Sequence, residues 1–138
     1  MNTEETTKEL MQLLKNLKED EWNDKVGNWT IKDIICHLVG WEEEAAKSLK
    51  EEWRTKKKPW FLKDDNFDEF NKKSIKKYKN LKPAELVKVF KKFQKQLDEL
   101  IEEIGEDNLR DNMEMYSWVF DEEDNHYLHH LNQIKKRR

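Results

Sequence analysis

Apolar side chains recur at three- and four-residue steps over four stretches of this chain, which is the spacing of one buried face of an α-helix. In the longest stretch the apolar residues are Leu86, Val89, Phe90, Phe93, Leu97, Leu100, Ile101 and Ile104. Pro83 favours the start of this helix because proline is tolerated in a first turn, and Gly105 favours its end. A stripe of this length must be covered by other helices, so the pattern predicts a helical bundle.

The other three stretches predict the remaining principal helices. Residues 6–17 predict a short amphipathic helix, and residues 117–136 predict the last helix. Thr30, followed three residues later by Asp33, is a capping box, which predicts a helix that begins at this point and runs to about residue 52. Since the chain has only 3 Gly and 2 Pro, few turns are left for a many-stranded sheet. The sequence therefore predicts an all-α fold.

The segment after residue 52 loses the helical period, and Pro59 excludes a helix that runs through it. We expect a long connection that carries a short extra helix, which begins after Asp65 or Asn66. The inward residues of this extra helix are expected to be Phe67, Phe70, Ile75 and Tyr78. The predicted fold is a four-helix bundle with one long crossover, formed by a single domain of residues 1–138.

Charge and composition exclude several classes of protein. The chain is 41% charged and 36% hydrophobic, but 6 Trp, 6 Phe and 3 Tyr supply apolar surface that a disordered chain lacks. The formal net charge of -3 comes from lysines and acids spread along the chain, so no nucleic-acid partner is expected. No apolar stretch approaches the length of a membrane span, and the N-terminus lacks a signal-peptide pattern. We therefore expect a cytoplasmic protein without membrane contact.

Three histidines are the candidates for chemistry. His126 and His130 lie four residues apart, so on a helix they project from one face, one turn from each other. They border an apolar stripe, where an unpaired imidazole is costly, and His37 lies on the inner stripe of another helix. Three neutral imidazoles with one open position suit zinc, nickel or a similar divalent ion. The alternative is structural: one or more of the histidines caps a helix or pairs with a buried acid.

Two other reactive residues are predicted to lie outside the site; the alternative is a ligand role for either, or a nucleophile role for the cysteine. Cys36 lies within an apolar helical run, which favours a buried and inert thiol. His129 points about 100° away from His130 around the helix axis, which favours an exposed position.

The residues around the histidines also resemble a known family. The run from Trp29 to Leu38, continued by Trp41-Glu42, resembles the Trp-Ser/Thr-x-x-Asp-x-x-x-His-Leu motif of DinB-like proteins. The motif His126-Tyr127-x-x-His130 is similar to the second half of that pattern. Within the superfamily, the crossover, the Phe70-Asn71 region and residues 82–109 most resemble the ClbS/DfsB branch.

This resemblance implies a four-helix bundle in which His37, His126 and His130 hold one divalent metal ion. Related proteins include thiol-dependent transferases and isomerases, and the ClbS branch includes a protein that hydrolytically inactivates an electrophilic genotoxin. The chain departs from the ClbS-like pattern at residues 122–124, where two Glu and one Asp replace the usual Thr and Tyr. The substrate of that branch is therefore not carried over.

Further residues are expected around the metal. Glu122 or Glu123 would either hold a ligand histidine in its tautomer or act as a general base. The alternative is that both belong to a solvated acidic first turn of the helix, which the helix dipole favours. Trp41, Trp118 and Tyr127 are candidates for a substrate pocket, with ordinary core packing as the alternative. The basic crossover, residues 53–61, is expected to cover the site partly.

Taken together, the sequence predicts a metal-dependent hydrolase or thiol-dependent transferase that acts on a small electrophilic compound. Two alternatives stay open. One is a protein that binds or sequesters a hydrophobic small molecule without converting it. The other is a structural, dimerising bundle with a vestigial metal site, since bundles of this size often form homodimers.

Overall fold

A computed structural model of the chain describes residues 3–64 and 67–137, and helices dominate both parts. The helices are α1 (Thr3–Asn16), α2 (Ile31–Thr55), α3 (Asp68–Tyr78), α4 (Pro83–Ile104), α5 (Glu106–Asn112), α6 (Met115–Ser117) and α7 (Glu123–Lys135). The described residues also form two 3-10 helices (Glu19–Asn23, Trp60–Leu62) and a π-helical turn (Trp118–Glu122). The predicted all-α fold is confirmed.

Helix α2 lies at the centre of the bundle, where it packs against α3, α4 and α7. Its predicted capping box is present: Thr30 Oγ1 accepts from the Asp33 N–H at 3.0 Å, and Asp33 Oδ2 accepts from the Thr30 N–H at 3.1 Å. These bonds satisfy backbone donors that the start of a helix leaves without intrahelical partners. The helix continues slightly beyond its predicted end, to Thr55, where Lys56 adopts a left-handed conformation with φ of 63°.

Helices α1 and α4 occur close to their expected bounds, whereas the last helix, predicted over residues 117–136, begins as α7 only at Glu123, after the π-helical turn. Helix α4 begins at Pro83 and ends at Gly105, whose N–H donates to the Ile101 carbonyl at 2.9 Å. Helix α3 is the short extra helix of the crossover, and α1 packs against α7, so the two ends of the chain lie side by side. Within the described part of the chain, no helix is long and apolar enough to cross a membrane.

Two apolar clusters divide the core along α2. The first surrounds the N-terminal half of α2, with Leu10 of α1, Phe90 of α4 and Leu131 of α7. The second surrounds the C-terminal half, with Leu97 of α4 and Met115 of α6. His37 lies among the α2 residues of the first cluster, one helical turn before Trp41, where the second cluster begins.

Helix α3 approaches α2 closely because Gly40 has no side chain. A Cβ atom added at Gly40 would overlap the Cβ and Oγ atoms of Ser74 on α3. Real Cβ atoms do not make contacts this close, so any larger residue would push the two helices apart. This close approach brings the N-terminal half of α3, including Asn71, over the histidine-bearing part of α2.

The segment between α4 and α7 differs from a plain connection. Helices α5 and α6 were not predicted, because each is too short to show a helical period. Leu109 and Met115 are fully buried and close the end of the second cluster. The buried carboxylate of Glu52 accepts from the N–H groups of Glu114 at 2.9 Å and Met115 at 3.2 Å, which ties this segment to the end of α2.

The predicted connection between α1 and α2 also has local structure. Strands β1 (Lys25–Val26) and β2 (Trp29–Thr30) form a short antiparallel hairpin, with Val26 opposite Trp29. Gly27 supplies the positive φ of 68° that its turn requires. The hairpin sets the direction in which the chain enters α2.

Candidate metal centre

His37 lies in the second turn of α2 and is only 5% exposed. Its ring packs against Trp29 of β2, with ring centroids 5.1 Å apart, and it makes edge contacts with the rings of both other candidate histidines. The inner position follows from the apolar stripe of α2, which must face the bundle interior. Burial on this stripe leaves His37 dependent on polar partners within the protein.

His126 and His130 lie one turn apart on α7 and face His37. His126 Nε2 is 2.7 Å from His37 Nε2 and 3.1 Å from His130 Nε2. One ligand atom from each of the three side chains lies within 4.8 Å of the other two. The structure thus brings together all three histidines that the sequence selects, from two helices that are far apart in the chain. We call them the histidine cluster.

Asn71 determines the tautomer of His37. Its Oδ1 atom lies 2.9 Å from Trp41 Nε1 and 2.9 Å from His37 Nδ1. An indole nitrogen can only donate, so the Asn71 atom between the two rings must be the oxygen, and His37 Nδ1 must carry a proton. His37 Nε2 therefore presents its lone pair to the other two histidines.

His130 has a comparable partner on its own helix. Its Nδ1 atom lies 2.8 Å from Oε1 of Gln133, which follows it by three residues on α7. With this oxygen as acceptor, the proton of neutral His130 is on Nδ1 and its Nε2 lone pair points toward His126. His37 and His130 thus both direct an unprotonated Nε2 atom toward His126.

Burial keeps all three imidazoles neutral near pH 7. Loss of hydration lowers the pKa of His37 to about 3, and the positive charge that His130 would carry adds to the effect. Burial likewise lowers the pKa of His126 to about 2. The pKa of His130 falls to about 4 through burial, against a smaller opposing effect of the Gln133 hydrogen bond. Neutral imidazole is the form that binds metal ions.

The donor set fits a divalent metal ion. Neutral His126 can place at most one proton on Nε2, so it can make a good hydrogen bond to only one of the two facing lone pairs. A single cation would satisfy all three nitrogens together, and imidazole suits zinc and nickel. Among the described residues, the histidine cluster is the one group of His, Cys, Asp or Glu side chains with this geometry.

Comparison with protein families agrees with this architecture. A family model described as the DinB superfamily matches residues 2–134. The chain belongs to the DinB superfamily. No curated protein and no solved structure gives a significant match to the chain. The predicted superfamily is therefore confirmed, whereas the ClbS/DfsB branch stays a prediction.

The other two reactive residues of this DinB-superfamily chain lie outside the histidine cluster. His129 is exposed, as predicted, and its ring only flanks that of His130. Cys36 is fully buried on α2, and burial together with the charge of Asp33 raises its thiol pKa to about 11. A thiol in this state is a poor nucleophile at neutral pH.

The aromatic residues form a cluster beside Asn71. The rings in contact are those of Trp41, Trp60, Phe61, Phe67, Phe70 and Trp118. We call this group the aromatic cluster; within it, the Trp41 ring centroid lies 4.3 Å from that of Phe70 and 5.3 Å from that of Trp118. Tyr127 lies elsewhere, in the first apolar cluster, with its ring on Phe90 at 5.7 Å.

The structure describes only the backbone of the two candidate general bases. Glu122 ends the π-helical turn and Glu123 begins α7, whereas their side chains lie outside the part of the chain that the structure describes. The π-helical turn directly precedes the turn that carries His126. Such turns often accompany functional sites, and the sequence reasoning did not predict this one.

Sequence reasoning also missed the polar partners of the histidines. Gln133 had a local signal, because a residue three positions after His130 lies on the same helix face. Asn71 is in the crossover, 34 positions from His37, and no spacing rule connects the two residues. Only the packing of α3 on α2 brings them together.

Proposed function

We propose that the histidine cluster binds one divalent metal ion, zinc or nickel, and that the protein is a metal-dependent hydrolase or thiol-dependent transferase for a small electrophilic compound. The observation that carries the proposal is the convergence of three Nε2 atoms, with separations of 2.7 and 3.1 Å, in neutral imidazoles. A bound ion of this kind supplies Lewis-acid chemistry that activates water or a thiol as a nucleophile.

The residues around the cluster have separate roles in this proposal. Asn71 and Gln133 hold His37 and His130 in the tautomer that presents Nε2. Glu122 and Glu123 are the proposed general bases, because they lie at the start of the helix that carries His126. The half-buried ring of Trp29 packs against His37 and shields one side of the cluster from bulk water.

The aromatic cluster is the proposed substrate-binding region. Trp60 is 39% exposed, stacks on Trp41 and donates to Glu44 Oε1 at 2.9 Å. A groove of about 440 Å³ opens beside Trp60 and Phe70, between α2, α3 and the crossover. Its lining does not include the histidines; Trp41, which stacks on Trp60 and donates to Asn71, links the groove to the histidine cluster. Charged side chains form most of the lining, and Trp60 and Phe70 supply aromatic surface, which favours a compound with a flat portion and polar groups.

Elemental analysis of untagged protein tests the metal proposal. The protein is purified without a nickel column, and its metal content is measured after incubation with zinc or nickel followed by desalting. We expect about one ion per chain in the native protein and none in a His126→Ala/His130→Ala variant. The matched control is His129→Ala, which removes a neighbouring imidazole outside the cluster and should retain the ion. An empty native protein, or equal loading of all three proteins, contradicts the proposal.

A second function, binding without conversion, is favoured by the aromatic cluster itself. In that case a hydrophobic ligand would change the tryptophan fluorescence of the protein in a saturable manner, with the same affinity in the presence and absence of a chelator. If turnover of electrophiles with water or thiols is found and is abolished by chelator, this second function is excluded. The structural bundle with a vestigial site is favoured if neither binding nor turnover is observed.

A further inference from the structure

A second cleft lies between α1 and α4 and shares no lining residue with the histidine cluster. Its volume is about 1080 Å³. The larger apolar lining residues are Met11, Leu14, Leu17, Trp22, Pro83 and Val87. Leu14 and Trp22 are buried at its base, whereas the others are partly exposed. Helix α1 packs mainly on α7 rather than on α4, which leaves this seam of the bundle open.

One end of the cleft is marked by a contact between the two helices. Gln94 Nε2 donates to Thr7 Oγ1 at 2.9 Å, so the side chains of the two helices meet there. The two helices run in opposite directions, since Thr7 lies near Gln94 while Leu17 lines the same cleft as Pro83. At about 1.5 Å per residue, the distance from Thr7 to Leu17 is about 15 Å. A cleft of this length can hold an extended aliphatic chain.

The rim of the cleft is positively charged. Lys8 and Lys15 lie two turns apart on α1, and Lys82 and Lys91 lie on the facing segment, whereas Glu19 is the one acid among the described lining residues. Lys15, Lys82 and Lys91 form no ion pair with another described residue. An apolar floor beside three lysines that form no ion pair with a described residue is complementary to an anion that has an apolar body.

The same charges disfavour a second copy of the chain as the occupant. A two-fold symmetric dimer places the same surface patch on both partners. Two such clefts would bring two lysine rims together, and like charges in close proximity are repulsive. A cleft facing a cleft would also leave the apolar floors uncovered.

We propose that this α1–α4 cleft binds an amphipathic organic anion, an unbranched aliphatic carboxylate of the fatty-acid type. The aliphatic chain lies along the apolar floor, and the carboxylate meets the lysine rim. This site does not depend on the metal or on the proposed enzymatic function.

Calorimetric titration with octanoate, decanoate and dodecanoate below their micellar concentrations tests the proposal. We expect saturable binding that tightens about two- to fourfold for each added methylene, the increase that burial of aliphatic surface predicts. Dodecanol and dodecyltrimethylammonium should bind at least tenfold more weakly than dodecanoate. Equal binding of the three C12 compounds would show that the lysines do not select the anion and would overturn the proposal.

Two charge-reversal variants locate the site. Lys15→Glu/Lys91→Glu reverses two exposed rim charges and should weaken dodecanoate binding by about tenfold or more, an effect that salt reduces in the native protein. Lys50→Glu/Lys88→Glu makes the same change in net charge at exposed positions outside the cleft and should bind normally. The His126→Ala/His130→Ala variant should also bind normally. Equal affinity of both lysine variants, or a concentration-dependent dimer that Val87→Glu disrupts, would overturn the proposal.

Discussion

Trp41 and Asn71 are joined by a hydrogen bond of 2.9 Å in which the indole nitrogen donates to Asn71 Oδ1. The same oxygen faces His37 Nδ1, so the bond to Trp41 fixes the orientation of the amide and, through it, the protonated nitrogen of His37. Trp41 belongs to the aromatic cluster and His37 to the histidine cluster. One amide thus connects the proposed substrate-binding region with the proposed metal site.

Replacement of Asn71 by alanine is expected to weaken zinc binding about 10- to 100-fold, because His37 loses the acceptor that holds its tautomer. Asn71→Asp retains an acceptor oxygen at the same place and should recover most of the affinity. Zinc affinity is measured by competition with a chromogenic chelator. Asn132→Ala, an exposed asparagine on α7, is the matched control. Native affinity in Asn71→Ala would show that the amide does not position His37.

The metal-free protein is expected to lose stability in mild acid. The folded state holds the pKa values of His37, His126 and His130 at about 3, 2 and 4, below the ordinary value of 6.5. The unfolded chain therefore binds more protons once the pH falls below about 6.5, so stability present above that pH is lost as the pH decreases. For each histidine that stays neutral in the folded state, the free energy of unfolding then falls by close to about 1.4 kcal/mol per pH unit.

Urea denaturation in the presence of a chelator at pH 7.5 and pH 5 measures this loss. The native protein should unfold at a clearly lower urea concentration at pH 5. A variant in which all three histidines are replaced by glutamine should show a much smaller difference in stability between the two pH values. It lacks the buried imidazoles, and the Asp and Glu side chains of the protein remain mostly ionised over this range. A native protein equally stable at both pH values would contradict the buried, neutral state of the cluster.

Gly40→Ala is expected to separate α3 from α2. The added methyl group overlaps the Ser74 side chain, and overpacking of this kind costs about 1–3 kcal/mol, against about 1 kcal/mol gained from helix propensity. Zinc affinity should fall as well, since Asn71 is carried by α3. Ser74→Gly should partly rescue both properties in the double variant, which a double-mutant cycle would report as a favourable coupling. Additive effects would argue against the contact.

Glu52→Gln is expected to destabilise the protein by about 1–3 kcal/mol. The buried carboxylate accepts two backbone N–H groups at the start of α6, and an amide can accept with only one of its two terminal atoms. Glu51→Gln is the matched control: its carboxylate pairs with exposed Lys57 and should contribute at most about 1 kcal/mol. Thermal unfolding of the two variants separates these cases, and equal loss in both would contradict the buried role of Glu52.

Local sequence rules determined much of this structure. The apolar period located α1, α2, α4 and α7, because a helix that buries one face must repeat apolar residues every three or four positions. The capping box placed the start of α2 at Thr30, because its two hydrogen bonds lie within three residues. The spacing of His126 and His130 placed both on one helix face for the same reason.

Tertiary structure alone decided how these parts meet. The convergence of His37 with His126, the placement of Asn71 on His37, and the burial of Tyr127 against Phe90 all depend on contacts between segments far apart in the chain. Gly40 shows why: the small size of one residue matters only when α3 packs against it. A local pattern specifies which face of a helix turns inward, whereas the partner of that face is selected by packing over the whole bundle.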